Sequence, residues 1–245
     1  TNDGHRAYFT RYIKDELGDR QDLFETVLPT YPPFGKRMLM DNGWYRMLRN
    51  PKVELVTDHV ARVEPDRLVT TTGASYDADV LVIATGFDVL RFITTFEAIG
   101  KSGQSLRDAW EDDNAKAYLG TVVPDFPNFF TLYGPNLQPG HGGSLIFVIE
   151  MQVRYIMDLI AKMADGDIGA VEVRQDVHDA YNDRVDTAHE TMVWTHPGMS
   201  TYYRNERGRI VVNSPYRNVD FFEWTLAADL GDYETEPRRQ HAYES

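Results

Sequence analysis

Asp79-Val80-Leu81-Val82-Ile83-Ala84-Thr85-Gly86-Phe87 carries four consecutive apolar residues straight into Ala-Thr-Gly. A strand with one face in water alternates apolar and polar residues. The unbroken run at 80–83 therefore predicts a strand buried on both faces of a parallel or mixed sheet. Gly86 predicts the end of that strand, with no Cβ to hinder close approach of a flat or phosphorylated ligand. A tight turn is the alternative reading of the same glycine.

Outward from this stretch, the pattern is that of an α/β chain, with mixed sheets and packed helices. Upstream, residues 5–28 read as helical with a break at Gly18, and Pro29, Pro32 and Pro33 impose an extended connection. Asp41 is placed to cap a helix through Trp44, Tyr45, Met47 and Leu48, with Pro51 beyond its end. Residues 53–56, 60–63 and 67–71 predict three short strands before a turn at Gly73. Downstream, residues 105–110 predict a short helix and residues 129–133 a core strand. Ile146, Ile149, Val153, Ile156, Ile160 and Met163 recur at helical spacing, predicting one apolar helix face packed on a sheet. Residues 171–173 and 209–213 read as strands, 176–191 and 221–229 as helices. The charged tail from Gly231 is expected to fray. Neither a repeat nor a low-complexity linker marks a boundary.

The chain of 245 residues has a net charge of -13 and no cysteine. With no basic stripe, a nucleic-acid partner is not expected. Disulfide and thiolate chemistry are excluded, which suits a reducing, cytoplasmic setting. No stretch approaches the roughly 20 apolar residues of a membrane-spanning helix, so no membrane partner is expected. The N-terminus is polar, unlike a signal peptide, and lacks methionine, so a processed or truncated chain is expected.

Four groups of residues can carry chemistry. Lys36-Arg37 are either an ordinary surface pair or two cations aimed at different parts of one anionic ligand, a compact charge beside a rigid fork. Thr85-Gly86 ends the apolar run. The loop from Gly134-Pro135-Asn136 to Gly140-His141-Gly142-Gly143-Ser144 precedes the long helix and offers free amides to an electron-rich group. It matches neither a Walker motif nor Gly-x-Gly-x-x-Gly. Within it, His141 reads equally as structural or functional. Met199-Ser200-Thr201-Tyr202-Tyr203-Arg204-Asn205 suits either stacking on a flat ligand or the edge of a core. His5, His59, His141, His178, His189, His196 and His241 are dispersed, so no metal site is expected, and the Gly-x-Ser-x-Gly of a serine hydrolase is missing.

The order Phe34-Gly35-Lys36-Arg37, three residues, Asp41-Asn42-Gly43-Trp44-Tyr45, then Ala84-Thr85-Gly86-Phe87, Tyr133-Gly134-Pro135-Asn136 and Gly140-His141-Gly142-Gly143 resembles the C-terminal part of a flavin-dependent Baeyer–Villiger monooxygenase. The type acting on aryl ketones such as 4-hydroxyacetophenone is the most similar. The resemblance runs from about Pro29 to Asp229. It implies the C-terminal portion of a flavoprotein with two dinucleotide-binding domains. Residues 1–50 would be the end of the NADPH-binding domain and its return linker. Residues 51–245 would be the C-terminal part of the FAD-binding domain, including the active-site cap.

By the same resemblance, Arg37 is the catalytic arginine that stabilises a C4a-peroxyflavin and its adduct with the ketone, and Lys36 meets the 2′-phosphate of NADPH. Thr85 and Gly86 lie near FAD, Asn136 and Gly142 contact the isoalloxazine region, and Tyr202 closes over NADPH and substrate. The implied reaction converts a ketone and O2 to an ester with FAD and NADPH. The family's two glycine-rich fingerprints and its Phe-x-Gly-x-x-x-His-x-x-x-Trp signature are not in this sequence. A missing N-terminal FAD- and NADPH-binding half, in cis or in trans, is the expected partner. Alone, the chain is expected to be inactive. Two rivals stand: a flavin monooxygenase oxidising nitrogen or sulfur, and a noncatalytic subunit docking to an FAD-binding chain.

Overall fold

Gly18 ends the first helix with a left-handed backbone, φ +55°. A Cβ there would come within 2.9 Å of the Arg49 guanidinium, so glycine suits the turn on both counts. The computed structural model describes residues 2–140 and 142–238, which leaves His141 and His241 outside the described residues. The chain forms two units, one of Thr1–Thr30 with Leu39–Phe87, the other of Tyr31–Met38 with Asp88–Ser245.

In the first unit, helices α1 (Asn2–Leu17), α2 (Phe24–Val27) and α3 (Trp44–Met47) meet around Ile13, Leu17 and Leu48. Asp41 acts as expected at the start of α3. Its Oδ1 accepts from the amides of Gly43 (2.9 Å) and Trp44 (2.6 Å), while Gly43, at φ +93°, holds the cap position itself. Tyr12 donates to the other carboxylate oxygen at 2.7 Å, and that bond pushes its phenol up to about 12. Strands β1 (Val60–Glu64), β2 (Arg67–Thr70) and β3 (Ser75–Asp77) form an antiparallel sheet in that order, turning at Gly73.

The sequence expectations fail here at two places. Residues 53–56 form no strand, and Val53 and Leu55 pack beside the helical cluster instead. Residues 80–83 form no strand either and are exposed, Val80 at 78% and Val82 at 81%. An apolar run of this kind needs neighbouring strands on both sides, and no described residue pairs with it.

In the second unit, α4 (Leu106–Ala109) is capped by Ser105, whose Oγ accepts from Asp108 N at 3.1 Å. Then follow β4 (Gln138–Pro139), α5 (Leu145–Asp165), β5 (Ile168–Val173), α6 (Gln175–His189), β6 (Asn213–Ser214), α7 (Asn218–Trp224) and β7 (Tyr233–Pro237). Strands β4 and β6 pair in parallel, β5 and β7 antiparallel. The tail that sequence reading left frayed is thus ordered as far as β7, because Tyr233 is buried and hydrogen-bonds Tyr155 at 2.7 Å.

The long helix is where expected, but only part of the expected stripe is covered: Ile149, Ile156 and Met163 are half-buried, Met163 against the core. Val148, Met151, Gln152, Tyr155 and Leu159 face the core, while Ile146, Val153 and Ile160 are exposed. Both stripes have helical period, so periodicity could not choose between them. Gln152 also explains why residues 129–133 are not a strand. Its Nε2 donates to the Thr131 carbonyl (3.2 Å), the Gly120 carbonyl (3.1 Å) and Thr121 Oγ1 (2.8 Å), and its Oε1 accepts from Tyr133 N (2.7 Å). A buried side chain satisfies the main-chain groups that a neighbouring strand would have taken. Of the strand expected at 209–213, only Asn213 enters a ladder, with Ile210 bridging Arg204.

His189 closes α6 fully inside the unit, with Nε2 3.1 Å from the Asn213 carbonyl oxygen and Nδ1 without a protein partner. Burial holds its pKa down to about 4; the Asn213 carbonyl opposes that shift and Arg209 adds to it. Unfolding restores a pKa near 6.5, so the unfolded chain binds the extra proton between those values. The stabilisation is complete above about pH 6.5 and is lost as pH falls through 4, in total about 3 kcal/mol. Urea unfolding of His189→Gln across this window is expected to show a correspondingly shallower acid loss; an unchanged slope would refute the assignment. Gly140 abuts the Trp194 ring so closely that a Cβ would lie 2.2 Å from it. Gly140→Ala is expected to destabilise the chain by about 1–3 kcal/mol in the same measurement.

Candidate functional site

The second unit brings three of the four sequence-selected groups together. The turn at residues 32–35 closes with Gly35 N donating to the Pro32 carbonyl at 3.1 Å. Phe34 is left-handed at φ +66°, and a Cβ on Gly35 would strike the Met199 sulfur at 2.2 Å. This packing seats Lys36 and Arg37 beside the 199–205 segment. Arg37 Nη1 then donates to the carbonyl of Pro139 at 2.7 Å, in the glycine-rich loop 102 residues away. Lys36 Nζ stands 4.5 Å over the Tyr31 ring, a cation–π contact that leaves the ammonium near the surface.

Aromatic residues wall the site. Trp194 packs edge-on to Tyr203, centroids 6.3 Å apart, and Tyr203 to Tyr202 at 4.4 Å. Tyr202 donates to the Tyr203 hydroxyl at 3.2 Å. Burial chiefly holds the Tyr203 phenol above its ordinary range, with Tyr202 reinforcing the shift, while the Arg37 charge and main chain pull the other way. Tyr133 is likewise raised by burial and eased by Arg37. The guanidinium thus sits within electrostatic reach of two tyrosines while remaining exposed.

The glycine-rich loop divides into an anchored part and an open part. Asn136, at φ +57°, is buried, and its polar atoms are engaged within the protein. Its Nδ2 donates to the carbonyls of Ile210 (2.8 Å) and Asn213 (3.2 Å), and its Oδ1 accepts from Arg209 Nη2 (3.0 Å). It holds the loop, and its amide does not face outward. Gly142, at φ +75°, has open space where a Cβ would stand, and Ser144 caps α5 by accepting from Phe147 N at 3.4 Å. Exposed main chain at Gly142 and the helix start beside it offer donors to an electron-rich group. Thr85 and Gly86 belong to the first unit, where both are exposed, Gly86 at φ +86° with nothing within 4 Å of its missing Cβ.

Sequence reading missed Pro139 as the acceptor for Arg37, Trp194 as the wall and Arg209 as the anchor of Asn136. A main-chain carbonyl leaves no trace in residue type, and Arg209 lies 73 positions from its partner. Among the described residues no three His, Asp or Glu side chains gather as a metal site, and no helix is long and apolar enough to cross a membrane.

No family model matches the chain. It is 48% identical over 237 residues to an uncharacterized monooxygenase of Sinorhizobium fredii, covering 97% of this chain and 36% of that protein. It is 30% identical over 193 residues to a Baeyer–Villiger monooxygenase of Pseudomonas aeruginosa, covering 79% of this chain and 36% of the relative. Cyclohexanone monooxygenase from Rhodococcus sp. Phi1 bound to NADP+ superposes with a TM-score of 0.81 at 25% identity, over 96% of this chain and 45% of that one. The chain therefore spans little more than a third of the length of these curated relatives. Its α/β fold is that of part of these flavoproteins, and the chain is a partial-length relative of the Baeyer–Villiger type of flavin monooxygenase.

Proposed function

We propose that this chain is the C-terminal portion of an FAD- and NADPH-dependent Baeyer–Villiger monooxygenase that converts ketones, aryl ketones foremost, to esters. The observation that carries the reading is the hydrogen bond from Arg37 to Pro139, which fixes one guanidinium at the glycine-rich loop beside the Tyr202–Tyr203 wall. Bound FAD, reduced by NADPH, supplies the activation of O2. The chain's own residues do the rest. Arg37 presents a fixed fork of donors to the negative charge that grows on the ketone oxygen, a stabilisation typically worth about 3–4 kcal/mol. Lys36, a compact charge, meets the 2′-phosphate of NADPH. Gly142 lets the cofactor approach the main chain, Asn136 keeps the loop in place, and Tyr202 covers the ligands against water. In this reading Thr85 and Gly86 lie near the FAD.

In the complete flavoprotein, Arg37→Lys and Arg37→Ala are expected to cut ester formation by about 10²–10³-fold. Flavin bleaching by NADPH in the stopped flow is expected to persist. Equal loss of both half-reactions would remove the assigned role. Oxidation of amines or sulfides with no attack on acetophenones would favour the nitrogen- or sulfur-oxidising reading instead.

The partner in this reading is the FAD- and NADPH-binding half that the longer relatives carry, in the same polypeptide or another. Residues 80–83 suit it as a strand awaiting neighbours, and the outer stripe of α5 suits it as a packing face. Amide exchange at residues 80–83 is expected to be fast in the chain alone and to slow by at least about tenfold once that half is present. Exchange unaffected by the complementing half would remove the docking assignment.

A further inference from the structure

Behind the loop that receives Arg37 lies a buried cation with no place in the proposed reaction. The Arg209 side chain is 11% exposed. Its Nε donates to both oxygens of Asp186 (2.8 and 3.1 Å), its Nη1 to the Ala115 carbonyl (2.9 Å) and its Nη2 to Asn136 Oδ1 (3.0 Å). Burial holds its pKa below the usual arginine value, with Asp186 opposing the shift.

The contact to Asn136 decides which way that amide faces. With Oδ1 turned to the cation, Nδ2 is turned to the carbonyls of Ile210 and Asn213. The Asn136 amide donates to the Val211 carbonyl (2.8 Å) and the Gln138 amide to that of Val212 (3.0 Å), so the loop runs in register with residues 211–214. Pro139, the next residue, supplies the oxygen that Arg37 grips. Removing the cation leaves Oδ1 buried without a donor, a cost the loop relieves by moving, while half-exposed Asp186 keeps Lys116 at 3.8 Å.

We propose that Arg209 is a positioning residue for Arg37, setting through Asn136 and the β4–β6 register where the Pro139 carbonyl stands. The inference rests on Arg37 being the working cation of the proposed reaction, but its first test does not use that reaction. In the 245-residue chain, phenylglyoxal modification of Arg37 is followed by mass spectrometry, with exposed Arg62 of the other unit as internal reference. Arg209→Met is expected to raise the relative rate at Arg37 by about tenfold, the lower end of the effect of losing one hydrogen bond to a charged group. Arg209→Lys, which keeps a buried cation, is expected to restore most of the protection. Asp186→Asn serves where Arg209→Met does not fold, and its expected effect is in the same direction. Unchanged protection in folded Arg209→Met, or in Asp186→Asn where it stands in, overturns the inference. So does exposure in Arg209→Met that the lysine variant fails to reverse, because a role in folding alone predicts it.

The complete flavoprotein supplies the second test. There Arg209→Met is expected to release hydrogen peroxide in place of ester, with NADPH oxidation within about twofold of the parent rate; parallel loss of both overturns the inference. Altered Arg37 protection in a parent enzyme that attacks no ketone would leave the positioning role standing and remove the ketone reading.

Discussion

One hydrogen bond, from the Arg37 guanidinium to the Pro139 carbonyl, is the constraint on which the candidate site depends. A long, exposed arginine side chain has many rotamers, and holding it in one costs close to 2 kcal/mol of entropy. A single bond to a charged donor offsets that only where the acceptor is itself immobile. Pro139 is immobile because it belongs to a short parallel ladder, because Asn136 three residues earlier is bonded at both ends, and because Gly140 behind it lies flat on Trp194. The arginine's precision is therefore borrowed from a buried polar network, not from its own surroundings.

The electrostatics follow from the same arrangement. The chain carries a large acidic excess, yet two adjacent cations stand where the loop, the aromatic wall and the 31–38 segment converge. Neither has a carboxylate partner among the described ion pairs, whereas exposed arginines such as Arg46, Arg62 and Arg174 each have one. Lys36 rests on an aromatic face and Arg37 on a carbonyl, contacts that orient a positive charge without neutralising it. Cations held in this manner stay available to an electron-rich group.

What could be read from the sequence was governed by local rules. Gly18, Asp41, Gly73 and Ser105 each act as a turn or cap through atoms within a few residues, and each does what its type implies. The long helix was legible for its length, but its two apolar stripes made its inward face illegible. Residues 129–133 have strand composition, yet one glutamine on a distant helix takes their main-chain groups. The motifs around residues 36, 136 and 202 were visible as motifs. That they meet depends on Pro139, Trp194 and Arg209, whose contacts span separations no window of sequence contains.

The misread strand at 80–83 and the misread stripe of α5 have one physical cause. Composition reports the environment for which a segment is suited, and both segments are suited to an interior. An apolar run flanked by strands on both sides and a helix apolar on two faces are stable only when covered twice. Each unit covers its own segment at most once, leaving Val80, Val82, Ile146 and Val153 in water. Isolated exposed apolar side chains are ordinary on any protein, but four in sequence, or a periodic row along one helix, form a contiguous patch. In the proposed reading these patches are the cut faces of a larger core. The same longer polypeptide that would bring the nucleotide-binding glycines would also bring the strands and side chains that such faces require.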